Sequence, residues 1–276
     1  MYGPQFKRGK ISQTVGQTPI KNMENKIMNI KVPAECERLF VDVGLAIDAP
    51  HSAWWLLKDD KAFVIGVEPS PDNVSVLKKG RLANVSFPYL CLDENAIIQN
   101  GTQIGKIGNR FCLLEFAIDN VDAPSSAPFY MTDERNTGCS SLLKPTDKLG
   151  LDVKQIYQTP VVSLKTILDN VSFSKFEYIT LLKSDTQGKD LDVVKSCREY
   201  LSKILAIKME VRTDGQYENE QKVEDIAEFM TANGFTLVHD FYHDHIYLND
   251  KLSFTLQMQN QKIQNFDIKS LIPANI

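Results

Sequence analysis

The stretch Leu39-Phe-Val-Asp-Val-Gly-Leu-Ala-Ile-Asp-Ala-Pro-His-Ser-Ala-Trp-Trp-Leu57 decides the fold. Its apolar run from Leu39 to Val43 reads as a buried strand that stops at Gly44, where the missing side chain permits a tight turn or the approach of a ligand. Pro50 suits the first turn of a following helix, because its absent N–H would be unpaired there in any case, and Trp54, Trp55 and Leu57 turn that helix back onto a sheet. A second buried run, Ala62-Phe-Val-Ile-Gly-Val-Glu68, ends in a carboxylate. Strand, glycine turn, helix, strand and acidic tip make a nucleotide-binding half, with Gly44 beside the ligand and Glu68 accepting from ribose hydroxyls. A pyrophosphate turn would carry further glycines, whereas Leu45, Ala46, Ile47 and Asp48 follow Gly44. The expected ligand therefore lacks phosphates, and S-adenosylmethionine, which has a ribose diol and adenine but no phosphate, meets that condition. The competing reading is that Asp42 and Gly44 only shape a strand end.

The chain has 276 residues and 43% hydrophobic content, enough for one large α/β core. The expected division is an arm over residues 1–30, with Lys7, Arg8, Lys10, Lys21 and Lys26, and a single domain over 31–276. A formal charge of -4 and a pI near 5.7 argue against a generic nucleic-acid footprint. Cys36, Cys91, Cys112, Cys139 and Cys197 are dispersed, without a C-x-x-C pair, as expected of reduced thiols in a cytoplasmic protein. The first twenty residues are polar, so no secretory signal is read there, and no apolar run approaches the roughly 20 residues that span a bilayer. No membrane partner is expected, and no oligomeric state is read from the sequence.

From Leu39 onward, apolar runs alternate with amphipathic ones, the pattern of strands joined by crossover helices. A helix is expected over 71–82, a short strand within 85–92, turns between 100 and 108, and one long strand from Arg110 to Asp119. Residues 120–148, rich in Pro, Ser, Thr and Asp, read as a long loop, either surface filler or a lid. Residues 161–168 begin extended and become helical; Phe176 to Asp185 is a strong buried strand followed by the polar turn Thr186-Gln-Gly188. A helix over 189–196, a strand over 204–211 ending near Glu210, a helix over 220–233 closed by Gly234, and three strands at 235–241, 245–249 and 252–258 complete the reading.

In order and spacing, several pieces resemble the FkbM-like family of S-adenosylmethionine-dependent methyltransferases. They are Phe40-Val-Asp-Val-Gly44, Gly66-Val-Glu-Pro-Ser70, Glu115-Phe-Ala-Ile-Asp119, Cys139-Ser-Ser-Leu142, Thr159-Pro-Val-Val-Ser-Leu164 and above all Leu182-Lys-Ser-Asp-Thr-Gln-Gly-Lys-Asp-Leu-Asp-Val-Val194. The resemblance covers roughly residues 38–250, with Lys208-Met-Glu210 and Asn233-Gly-Phe235 continuing it. It implies an α/β, Rossmann-like methyltransferase fold: a mostly parallel seven-stranded sheet with an antiparallel last strand. It also implies O-methylation of a sugar, glycan or small-molecule hydroxyl. By position it assigns Asp42 and Gly44 to the methionine side of the cofactor, Glu68 to the ribose, Asp119 to the adenine or its rim, and Asp185 to Gly188 to the meeting place of donor and acceptor. Two positions depart from the family pattern: Asp48 replaces a second glycine in a turn lengthened by Ala49-Pro-His-Ser52, and Lys165 replaces an Asp. The altered turn keeps a second reading open, a non-catalytic derivative that retains only the fold.

Methyl transfer to a hydroxyl needs alignment and, as the nucleophile attacks, removal of its proton. Asp185, at the end of a buried strand, is the candidate base; the rival role is to form or cap the turn at 186–188. His51 either faces the cofactor turn or lies on the helix surface. His239, His243 and His245 with Asp240 or Asp244 carry no established ligand spacing, so no metal is expected. Cys139 has no base nearby in sequence and reads as a packed thiol.

Overall fold

The computed structural model describes residues 18–80, 82, 85–132, 137–212, 214–241 and 243–259. Of the expected arm, residues 1–17 lie outside the described residues; Thr18–Met28 is a helix, α1, whose Met23 and Ile27 are buried in the main core. The deciding stretch folds as read: β1 (Arg38–Val43), then α2 (Pro50–Lys58) with Pro50 in its first turn, then β2 (Ala62–Val67). Next comes α3 (Pro71–Lys79), capped by Ser70 Oγ accepting from the Asn73 N–H at 3.3 Å. The small antiparallel sheet β3 (Tyr89–Cys91), β4 (Ala96–Gln99) and β5 (Thr102–Lys106) follows, and then β6 (Phe111–Leu114).

The expected single strand from Arg110 to Asp119 is two strands. β6 pairs with β2 as far as Leu114, Glu115 then turns outward to Lys26 and Lys78 at 2.7 and 3.0 Å, and β7 (Ala117–Ile118) joins a different sheet. That sheet contains β8 (Ser125–Thr132) and β9 (Val153–Val162), so part of the expected 120–148 loop is a strand. Its long polar run, Ser125-Ser-Ala-Pro, hides the alternation because both faces of its first half are partly exposed.

The rest of the chain adds α4 (Leu164–Leu168), β10 (Ile179–Ser184), α5 (Asp190–Lys195), β11 (Ile204–Glu210), α6 (Val223–Ala232), β12 (Phe235–Phe241), β13 (Asp244–Asn249) and α7 (Asp250–Gln259). The expected third strand at 252–258 is therefore helix. Asn249 Oδ1 accepts from the Leu252 N–H at 3.0 Å as a cap does, and the alternation of Leu252, Phe254 and Leu256 is coincidental, since Phe254 is exposed.

The central sheet runs β12-β13-β11-β10-β1-β2-β6, parallel throughout except for β13, which inserts antiparallel between β11 and β12. This is the expected seven-stranded, mostly parallel arrangement with its last strand reversed. β1 alternates between two cores: Leu39, Val41 and Val43 join one, Phe40 the other. Burying both faces explains why the strands read as continuous apolar runs. The chain leaves β1 toward β2 on one side and later returns to β10 on the other, so the strand order reverses at β1, where open α/β sheets bind ligands at their carboxyl edge.

Candidate active site

At that edge the ladders of β1, β2 and β10 run on into the loops: Gly44 N–H donates to Val67 O, Asp185 N–H to Val43 O and Glu68 N–H to Leu114 O, each at 3.0 Å. Two clefts open there. One, with about 650 Å³ of open space, is walled by Gly44, Glu68, Asn73, Phe116, Ile118 and Phe129 and reaches Asp185 and Thr186. The other, about 1050 Å³, is walled by Asp48, His51, Lys183, Lys208, Glu210 and His243. Gly44, Ala46 and Asp185 belong to both walls.

Gly44 is required for a geometric reason. Its φ is +83°, and a Cβ there would sit 1.9 Å from the Asp185 carbonyl oxygen. Glu68 lies at the tip of β2, as expected; Oε2 accepts from the Ala46 N–H at 2.9 Å, and Oε1 from Ser70 N–H at 2.9 Å and Asn73 Nδ2 at 3.2 Å. Burial pushes its carboxyl up to about 7 against these bonds. In the folded protein this group keeps a proton that the unfolded chain loses near pH 4.5, so its stabilising share is full below that value and is lost as pH rises through about 7. Glu68→Gln should flatten the fall in unfolding free energy between pH 4 and 8 by on the order of 3 kcal/mol, measured by denaturant titration across that range. An unchanged slope would remove Glu68 from the linkage.

Asp42 lies beneath the clefts rather than on their walls. It is 1% exposed, with Oδ2 accepting from Ser52 Oγ at 2.6 Å and Oδ1 3.4 Å from Lys183 Nζ. Lys183 Nζ also donates to Gly44 O at 2.5 Å and stands 3.7 Å from Asp185 Oδ2. Strand register puts Asp42, Lys183 and Lys208 side by side on β1, β10 and β11. Burial opposes the charge on Lys183, but Asp42 and Asp185 outweigh it and raise its ammonium above the ordinary range. Lys208 Nζ donates to His51 Nε2 at 3.2 Å and pairs with Asp244 at 2.9 Å. Burial, then Lys208 and Lys183, hold His51 well below its usual value, so its ring is neutral and faces the second cleft.

Asp119 meets Lys189 Nζ at 2.8 Å, and it is Lys189 that lines the first cleft. Asp185 is on the shared wall with a side chain 42% exposed. The turn after it is tied down by other groups: Asp190 Oδ1 accepts from Thr186 N–H at 3.1 Å and Ser184 Oγ at 2.7 Å, and Ser141 Oγ donates to Gln187 O at 2.9 Å. The segment 137–142 thus reaches the cleft, with Tyr217 Oη 2.7 Å from Cys139 O and 3.0 Å from Gln187 Oε1, its one hydroxyl proton shared between the two acceptors. Burial raises the Cys139 thiol, in keeping with a packed cysteine. Of the histidine run, His243 lines the second cleft, His245 Nε2 stands 3.3 Å from Asp240, and His239 stacks on Phe241. Among the described residues no group of three or more His, Cys, Asp or Glu is placed to hold a metal. Lys165 sits away from the clefts on α4, paired with Asp169 at 2.8 Å and Glu199 at 2.9 Å.

Lys183, Lys208, Gln187 and Tyr217 escaped the sequence reading. The signal for the first two was a lysine inside each of two buried runs, Leu-Leu-Lys183-Ser and Ala-Ile-Lys208-Met, where an unpaired charge would be costly.

A seven-stranded sheet with this order, and a cleft at its reversal point closed by an acidic tip and a glycine turn, defines a Rossmann-like methyltransferase fold. A family model described as methyltransferase FkbM domain matches residues 42–237, and the chain belongs to that family and is a methyltransferase. A comparison with curated proteins returned no match. Among the described residues no helix is long and apolar enough to cross a membrane.

Proposed function

We propose that the chain transfers a methyl group from S-adenosylmethionine to a hydroxyl of a sugar, glycan or other small molecule. The observation that carries this reading is the meeting of two clefts at Asp185, one lined by Phe116, Ile118 and Phe129 with Glu68 as an acidic tip, the other carrying the ionisable side chains of Asp48, His51, Lys183, Lys208, Glu210 and Asp244. The first suits the cofactor. Phe116, Ile118 and Phe129 offer an apolar slot for adenine, Glu68 an acceptor for the ribose diol, and the buried Asn73 Oδ1 and Thr186 Oγ1 are polar atoms still without a partner in the protein. Gly44 leaves the backbone open where the methionine end would pass, and Asp42 acts on that turn through Lys183 and Ser52. Asp119 holds Lys189 at the rim. The lengthened turn places Asp48 in the second cleft, away from the cofactor's side.

When bound, S-adenosylmethionine supplies an electrophilic methyl on a sulfonium. The chain's part is to align the acceptor hydroxyl and take its proton, a task for the Asp185 carboxylate. Cys36, Cys112, Cys139 and Cys197 are free thiols, which supports a cytoplasmic setting.

Calorimetry with S-adenosylmethionine tests the reading. Micromolar binding is expected, and above the Glu68 midpoint of about 7, where the carboxylate is ionised, Glu68→Ala should weaken it by about 1.5 to 3 kcal/mol, the range for hydrogen bonds to a charged group. Absence of binding by the wild type would overturn the proposal, and unchanged affinity in the variant would clear Glu68 of the ribose role.

A further inference from the structure

Beside Asp185, at the end of β11, stands a second carboxyl group that also walls the acceptor-side cleft, Glu210. One amide serves both: Gln187 Nε2 donates to Asp185 Oδ1 at 2.8 Å and to Glu210 Oε2 at 2.7 Å, so that a single donor group bridges the two carboxyl groups. Gln187 is held in place from behind by Tyr217 and sits at a left-handed φ of +59°, a conformation a non-glycine residue adopts only when its surroundings impose it. Arg212 Nη2 donates to the far oxygen of Glu210 at 2.7 Å.

We propose that Asp185 and Glu210 act as one acid–base unit holding a single proton between them, so that Glu210 sets how readily Asp185 takes the acceptor's proton. This rests on the methyl-transfer reading above. Two carboxyl groups bridged by one amide nitrogen lie close enough that ionising one disfavours ionising the other. Lys183 on β10, Lys208 on β11 and Arg212 after it favour ionisation of the pair; Asp190 on α5 opposes it. Asp48 and the neutral His51, from the turn and α2, and His243 and Asp244, at the start of β13, complete the wall of the cleft. Burial and then Asp185 push Glu210 up to about 8, while Asp185, though burial works to raise it, is held below the ordinary range chiefly by Lys183.

With one proton on the pair, Glu210 is the acid and Asp185 the carboxylate. As the acceptor oxygen forms its bond to the methyl carbon, its O–H breaks and the proton goes to Asp185, while sulfur keeps the electrons of the broken S–C bond. The pair then holds two protons and returns one to water through the open cleft. When Glu210 is ionised, its charge makes Asp185 the stronger base.

Carbon-13 NMR titration of labelled Asp and Glu carboxyls in the full-length protein, without acceptor, tests this. The wild type should show a carboxyl with a midpoint near 8 that is missing from Glu210→Gln. In Asp185→Asn that midpoint should fall by about one pH unit or more, as expected when a neighbouring charge is removed, while Glu68 stays near 7 as an internal control. Asp185→Ser gives the same readout without an amide at this position. A midpoint unmoved in both Asp185 variants, or no carboxyl assigned to Glu210 near 8, would overturn the pairing. Because the titration needs no cofactor, failure to bind S-adenosylmethionine would count against the methyl-transfer reading alone.

Discussion

Asp185→Asn is expected to lower turnover by tens to thousands of fold while the melting temperature moves by no more than about 2 °C. Asparagine keeps an oxygen to accept from Gln187 Nε2 but loses the charge 3.7 Å from Lys183 and the capacity to take a proton. The rival role for Asp185, capping the turn at 186–188, falls to Asp190, which accepts from both Thr186 N–H and Ser184 Oγ. The fold therefore loses little with the Asp185 charge. Release of S-adenosylhomocysteine with an acceptor that the wild type methylates, measured beside thermal unfolding, separates the outcomes. Normal turnover would take Asp185 out of the chemistry, and joint loss of turnover and cooperative melting would return it to the turn.

The second large effect is expected of Gly44→Ala. The new methyl would meet the Asp185 carbonyl oxygen at 1.9 Å, and the φ of +83° is one that alanine adopts only under strain. Left-handed backbone costs an L-residue about 1 to 2 kcal/mol and overpacking about 1 to 3 more, so a loss of about 3 kcal/mol in unfolding free energy is expected. Relief would come only by parting the ends of β1 and β10, which displaces Asp185 and opens the floor shared by both clefts. Cofactor affinity should fall with stability. A variant as stable as the wild type, by denaturant unfolding, would show that the two strand ends can separate at little cost.

The deciding stretch was legible because each of its parts has one dominant cause: a doubly buried strand, a glycine that nothing else can replace, a proline at a helix start and a carboxylate at a strand tip. The break at Glu115 was not, because Leu113, Leu114, Phe116 and Ala117 are apolar on both sides of it, and the residues that end β6 are Lys26 and Lys78, far away in the chain. The helix at 250–259 reads as a strand in the sequence because periodicity over so few residues cannot be told from chance without its cap. In the site, Gly44, Glu68 and Asp185 could be placed because strand ends point to one edge. The row of Asp42, Lys183 and Lys208 arises from lateral register between β1, β10 and β11, and register between distant strands has no local signature. Gln187 read as a polar turn residue for the same reason: its partners Tyr217 and Glu210 lie 30 and 23 residues away.

The turn that follows Gly44 contains two alanines in left-handed backbone, Ala46 at φ +55° and Ala49 at +47°, where glycine would be free of strain. Ala46 is pinned by Glu68 through its N–H, and Ala49 leads into α2 with no side-chain cap of its own. An alanine in this conformation has fewer shapes open to it than a glycine once the surrounding structure has forced it there. The turn is thus held in one shape by its own backbone and by Glu68, and it has little loop entropy left to lose. Under the proposed methyl-transfer reading, alanine and aspartate in place of glycine trade adaptability for pre-organisation, and the site is expected to admit a narrower set of cofactor analogues.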